Sequence, residues 1–257
     1  MMDWAPLIAV WQNTMGSVAI VFLRIASLMA ILPGFGEHSI PMRIKVGLSI
    51  ALTLVTYPMV ELGGRSIQNL SSFTNYLASE VIIGLFIGLL LRLMVLALQT
   101  AGSIAAQSTS LSQILGNTSA EPMPAMGHFL TTGGLALLMI MGFHVQLISM
   151  IFLSYDLFPA GYIIRPATVM SLGVDHVNFV FFLAFGIAAP FCVSALLYNV
   201  TLGAINKAMP QLMVAFVGAP AITFFGLFLL YICAPYMLKT WAEAVHKVLQ
   251  FSLGSGF

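Results

Sequence analysis

Charge is what this chain of 257 residues has least of: nine Lys or Arg and eight Asp or Glu make up 7% of it, against roughly 25% in an ordinary soluble domain. A water-facing surface cannot be covered with so little. The formal net charge is +1, so no basic face is large enough to neutralise a phosphate backbone, which excludes nucleic acid as a partner. Cysteine is scarce as well. Cys192 and Cys233 both lie inside apolar runs, where a thiol packs as a small hydrophobe, and neither a disulfide framework nor a thiolate metal site is expected. The sequence has no HExxH, no GxSxG and no glycine-rich phosphate loop. Catalysis, metal and cofactor are therefore not expected. Met1-Met2-Asp3-Trp4 lacks the basic stretch of a secretory signal, and the first apolar segment is expected to stay in the mature protein.

What the chain has in excess is apolar residues, 60% of the total. A bilayer or a large hydrophobic assembly is the remaining way to bury them, since a spanning helix needs roughly 20 apolar residues. The fold class this implies is all-α: a polytopic membrane protein of about six long apolar helices, in a single membrane domain over 1–257. Gly, Pro and polar punctuation place the candidates near 7–32, 44–60, 77–106, 126–153, 178–202 and 213–238. The second is the weakest. At 1.5 Å per residue it barely crosses a core of roughly 30 Å, and reads equally as a half-span or a buried helix. Counting cations gives Arg65, Arg165, Lys239 and Lys247 on one side and Arg43, Lys45 and Lys207 on the other, too even to assign an orientation.

Three charges fall at membrane depth: Arg24 in the first run, Glu80 and Arg92 in the third. Each costs about 2.5–3.5 kcal/mol at a helix centre, so each is expected to face protein or water, or to snorkel to the interface. Glu80 and Arg92 stand 12 positions apart, roughly 18 Å along a helix, and cannot pair with each other. Their partners must come from other helices or other chains. Gly84 and Gly88 follow Glu80 at four-residue steps, placing a carboxylate and a GxxxG pair on one helix face, where glycines permit close helix approach. His144, deep in the fourth run, is isolated, and a hydrogen-bonded core or interface histidine is expected there.

The connection after the third run, 107–122, is polar, nearly uncharged and interrupted by Leu111, Ile114 and Leu115 at i, i+3, i+4 spacing before Gly116-Asn117. With Gln107 at its start, it could fill an aqueous lumen as a plug, or be a surface loop anchored by a small apolar patch. The sixteen methionines suit either a deformable seal or ordinary core filling. Pro210 fixes the backbone of the connection before the last run, so 207–211 is expected to form a defined turn presenting Lys207 and Gln211.

Three stretches together resemble a known family. They are 24–43, with Pro33-Gly34-Phe35-Gly36 and Ile40-Pro41-Met42-Arg43; Glu80-x3-Gly84-x3-Gly88 continuing through Ala101-Gly102 to Gln107; and Asn199-x2-Leu202-Gly203-x3-Lys207-x2-Pro210-Gln211, followed by Gly218-x-Pro220. The chain resembles, over nearly its full length, the FliR family of flagellar export-gate proteins, with its injectisome relatives SctT and SpaR. The resemblance implies a noncatalytic subunit of the flagellar type III export gate in the bacterial inner membrane, at the basal body. Such a subunit forms part of the channel for unfolded export substrates and helps nucleate basal-body assembly. Its implied partners are FliP-like and FliQ-like membrane subunits, FlhB-like and FlhA-like export proteins, the exported flagellar proteins and membrane lipid. It also implies a channel plug at 107–122 and a C-terminal FliQ-like hairpin over 178–238, with its tip at Lys207, Pro210 and Gln211. The competing reading is a proton- or ion-coupled transporter using Arg24, Glu80, Arg92 and His144, which predicts an inverted repeat that the sequence does not display.

Overall fold

The computed structural model of the chain describes residues 5–37, 40–60, 70–109, 125–209 and 214–251. These residues form helices joined by turns, with no strand among them. In chain order they are α1 (Ala5–Ile31), α2 (Met42–Thr56) with a 3-10 turn at Tyr57–Met59, α3 (Leu70–Thr109), α4 (Ala125–Ile140), α5 (Phe143–Leu157), α6 (Pro166–Ala208) and α7 (Val214–Phe251). The all-α polytopic membrane class expected from composition is what the structure has.

The expected count of about six long helices is not reached among the described residues. Among the described residues four helices are long and apolar enough to cross a membrane, or five if α4 and α5 together make one span. The fourth apolar run is interrupted because Gly142 adopts a left-handed conformation, φ +78°, which only glycine enters without strain. Neither α4, with 16 residues, nor α5, with 15, spans a roughly 30 Å core alone. The second run yields the 15-residue α2, too short to cross. The fifth and sixth runs are longer than expected: Pro166 starts α6 at a position where a missing N–H costs nothing, and α7 continues to Phe251. Pro190 stands inside α6 and removes one of its backbone hydrogen bonds.

Cα packing divides the chain into two compact units. The first comprises 1–93, 142–176 and 246–257. Within it α2 folds back along α1 after a left-handed turn at Gly34, φ +82°. The second comprises 94–141 and 177–245. Its centre is Trp241, wholly buried, whose indole Nε1 donates to the Met94 carbonyl at 2.7 Å. Gly134 of α4 leaves room for the Trp241 ring and the Leu98 side chain, and Gly102 of α3 lies against the backbone of Gly127.

At Gly102 a Cβ would fall on the Gly127 Cα, whereas at Gly186 it would meet nothing within 4 Å. Gly102→Ala is therefore expected to destabilise the protein by about 1–3 kcal/mol, the usual cost of overpacking. Gly186→Ala should be neutral or slightly stabilising, because alanine favours the helix. Thermal unfolding of the two variants in mild detergent checks the contrast.

Candidate functional site

The first unit is built around two side chains that share no neighbourhood in sequence. Arg24, two turns before the end of α1, and Glu80, from α3, are 1% and 0% exposed. Arg24 Nε donates to Glu80 Oε2 at 2.5 Å and Nη2 donates to Oε1 at 3.0 Å, the paired geometry that a guanidinium fork and a carboxylate favour. Nη1 donates to the Ser154 carbonyl at 3.1 Å and to its hydroxyl at 3.3 Å, and Nη2 donates again, to the Phe158 carbonyl, at 2.8 Å. All five guanidinium N–H groups are thereby used. The guanidinium carbon lies 3.7 Å from the centroid of the Tyr155 ring, which covers its face. Glu80 Oε1 also accepts from the Gly161 backbone N–H at 3.0 Å.

Local sequence explains how these groups meet. Gly84, one turn after Glu80, faces α1 so closely that a Cβ there would run into the Arg24 carbonyl and the Ser27 hydroxyl. Gly88, one turn further, packs against the Leu28 carbonyl and Ile31. The expected GxxxG contact thus exists, its partner is α1, and it brings the α1 backbone near enough for Arg24 to reach Glu80. The third wall is the end of α5 and the turn after it, closed by the bond from Tyr162 N–H to the Pro159 carbonyl with Gly161 at φ +75°. A side chain at 161 would also strike the Tyr76 ring, so glycine is required there twice over.

The partners of Arg24 and Glu80, expected on other helices or other chains, are each other, across α1 and α3 of this chain. Glu80 and Arg92 do not pair, as their spacing predicts. Arg92 is half-buried and makes no hydrogen bond or ion pair among the described residues. Gln107 is exposed near the end of α3, and Lys207 is exposed in the last turn of α6, where the helix dipole favours a cation. Leu111, Ile114, Leu115, Gly116, Asn117, Pro210 and Gln211 lie outside the described residues. His144 is exposed rather than buried. Among the described residues the buried histidine is His176, inside α6, with Nε2 2.9 Å from the Leu90 carbonyl. Sequence reasoning missed it, as it missed Ser154, Tyr155 and Phe158; the one available signal was the Pro159-Ala160-Gly161 turn beside them.

A family model described as bacterial export proteins, family 1, matches residues 15–248. This chain belongs to the FliR family. The flagellar biosynthetic protein FliR of Caulobacter vibrioides is 31% identical over 234 residues, covering 90% of this chain and 93% of that protein. FliR of Bacillus subtilis is 24% identical over 224 residues, with 83% and 84% covered, and FliR of Escherichia coli is 26% identical over 201 residues, with 77% and 76% covered. FliR-family membership together with the long apolar helices makes the chain a membrane-embedded component of flagellar protein export.

The Arg24–Glu80 network generates a direct test. Glu80→Gln preserves shape but leaves a buried guanidinium without counter-charge, which is expected to cost about 3–5 kcal/mol. Converting both Arg24 and Glu80 to Met should restore only part of that loss, because the apolar pair needs no desolvation but leaves the Phe158 carbonyl and the Gly161 N–H without the partners they had. A double-mutant cycle on thermal unfolding of the detergent-solubilised FliR-family chain measures the coupling; additive losses would show that the pair does not act as a unit.

Proposed function

We propose that this chain is a noncatalytic subunit of the flagellar type III export gate in the bacterial inner membrane, lining part of the channel for unfolded substrates and helping to nucleate basal-body assembly. The observation that carries the reading is the family match across residues 15–248. Two structural features support it. Two of the three charges at membrane depth, Arg24 and Glu80, are used on each other, with every Arg24 donor occupied, which leaves no open ion site at that pair and counts against a transporter reading that draws on it. In the second unit α6 and α7 expose Phe182, Phe185, Phe224, Tyr231 and Tyr236, a surface suited to lipid or to apolar partner subunits. The partners of this reading are FliP-like and FliQ-like membrane subunits, with FlhB-like and FlhA-like proteins and exported flagellar proteins passing through or beside them.

Within this reading 107–122 is the channel plug and 178–238 the FliQ-like hairpin, with Lys207, Pro210 and Gln211 at its tip. The plug rests on chemistry: Ser, Thr and Gln offer a passing polypeptide no strong charge, while Leu111, Ile114 and Leu115 can seal against an apolar wall. Burying three such side chains is worth at most roughly 1.5–3 kcal/mol each, a barrier that arriving cargo can displace.

Replacing Leu111, Ile114 and Leu115 together with Ser, or deleting 110–119, is expected to leave the chain assembled with its co-expressed membrane partners while making the membrane leaky to small ions. Ion-conductance recording and copurification in mild detergent read the two effects separately. Unchanged conductance with lost assembly would make the segment a linker and remove the plug from the reading.

A further inference from the structure

Helix α2 is amphipathic in the reverse sense. The residues it buries are Ser49, Thr53 and Thr56, and each hydroxyl is satisfied by its own helix: Ser49 donates to the Lys45 carbonyl at 2.8 Å, Thr53 to Ser49 at 2.7 Å and Thr56 to Leu52 at 2.9 Å. Small hydroxyl residues therefore face the protein, while Ile44, Ile50, Leu54 and Val55 point away from it. Between the helices this leaves a groove of about 290 Å³ walled by Met15, Val18, Ala19 and Phe22 of α1 and by Ile50 and Leu54 of α2. Thr53 also borders it, but with its hydroxyl already bonded.

Arg43, Gly47, Ile50 and Leu54 stand at i, i+4, i+7 and i+11, one line along α2. Gly47 is exposed, and a Cβ there would meet nothing within 4 Å, so no neighbour requires glycine at this position. It leaves an open track from Arg43 to the groove. Arg43 is exposed and makes no hydrogen bond or ion pair among the described residues. Beside it, Lys45 Nζ donates to the Gly36 carbonyl at 2.8 Å and has no acid to neutralise it among the described residues, where the acid of that turn, Glu37, pairs with neither. The N-terminal end of the helix dipole adds positive potential. From Arg43 to Leu54 the rise is about 16 Å, close to the roughly 15 Å of one leaflet's hydrocarbon.

We propose that the α1–α2 groove holds one acyl chain of an anionic phospholipid, whose phosphate-bearing headgroup sits at Arg43. The chain lies over Gly47 and ends between Phe22 and Leu54. This assignment stands on the geometry of α1 and α2 and is independent of the export-gate reading.

Native mass spectrometry of the full chain in mild detergent, with added phosphatidylglycerol or phosphatidylcholine of equal chain length, tests it. Phosphatidylglycerol should be retained preferentially. Arg43→Gln should lower that retention about fivefold, the loss of one surface cation's attraction to an anionic headgroup. Gly47→Trp should abolish it by obstructing the track, without change in thermal stability, because both positions are exposed. A photocrosslinker at Leu54 should label lipid in membranes. Equal retention of the two lipids, indifference to both substitutions, or crosslinks at Leu54 only to protein would overturn the assignment, the last by giving the groove to a partner subunit.

Discussion

The first unit depends on one buried ion pair. Removing two charges from water is expensive, and mutual attraction recovers that cost only when the remaining hydrogen-bonding capacity is also met. Here Arg24 and Glu80 meet it by recruiting backbone and side-chain groups from Ser154, Phe158 and Gly161. The pair therefore specifies more than an α1–α3 contact. It is satisfied only when the end of α5 and its following turn are in place, so three segments distant in sequence must arrive at one arrangement. A purely apolar seam would tolerate sliding, since one aliphatic contact substitutes for another.

Glycine makes this possible at two points with different physics. Gly84 acts through size, allowing the α1 backbone to approach until a short-range bidentate contact forms. Gly161 acts through both size and conformation, turning its N–H toward Glu80 from a left-handed backbone that crowds the Tyr76 ring. Stability and specificity in this unit thus rest on small residues beside large charges.

How much of this is legible in sequence differs by residue. Arg24 and Glu80 announce themselves because charge in an apolar run is costly, and the Glu80-Gly84-Gly88 spacing shows that one helix face approaches something closely. That the approached element is α1 is not legible, because pairing across 56 positions is decided by tertiary packing. The break at Gly142 hides inside a continuous apolar run, where one glycine reads as part of a span. The early start of α6 hides for the opposite reason: Pro166, Gly173 and Asp175 make its first turns look like a connection, yet they are helical and place His176 in the core. The inverted polarity of α2 escapes notice because hydropathy counts hydroxyls as outward-facing.

Helix length has a consequence of its own for α6. Its 43 residues extend about 65 Å, more than twice a hydrocarbon core of roughly 30 Å. Tilting cannot absorb the difference, since keeping such a helix inside the core requires about 60° where membrane helices reach at most about 40°. Only 33% of its most apolar stretch is buried by the chain itself. Part of α6 therefore stands outside the hydrocarbon whatever its tilt, and its apolar surface there needs cover that acyl chains do not supply.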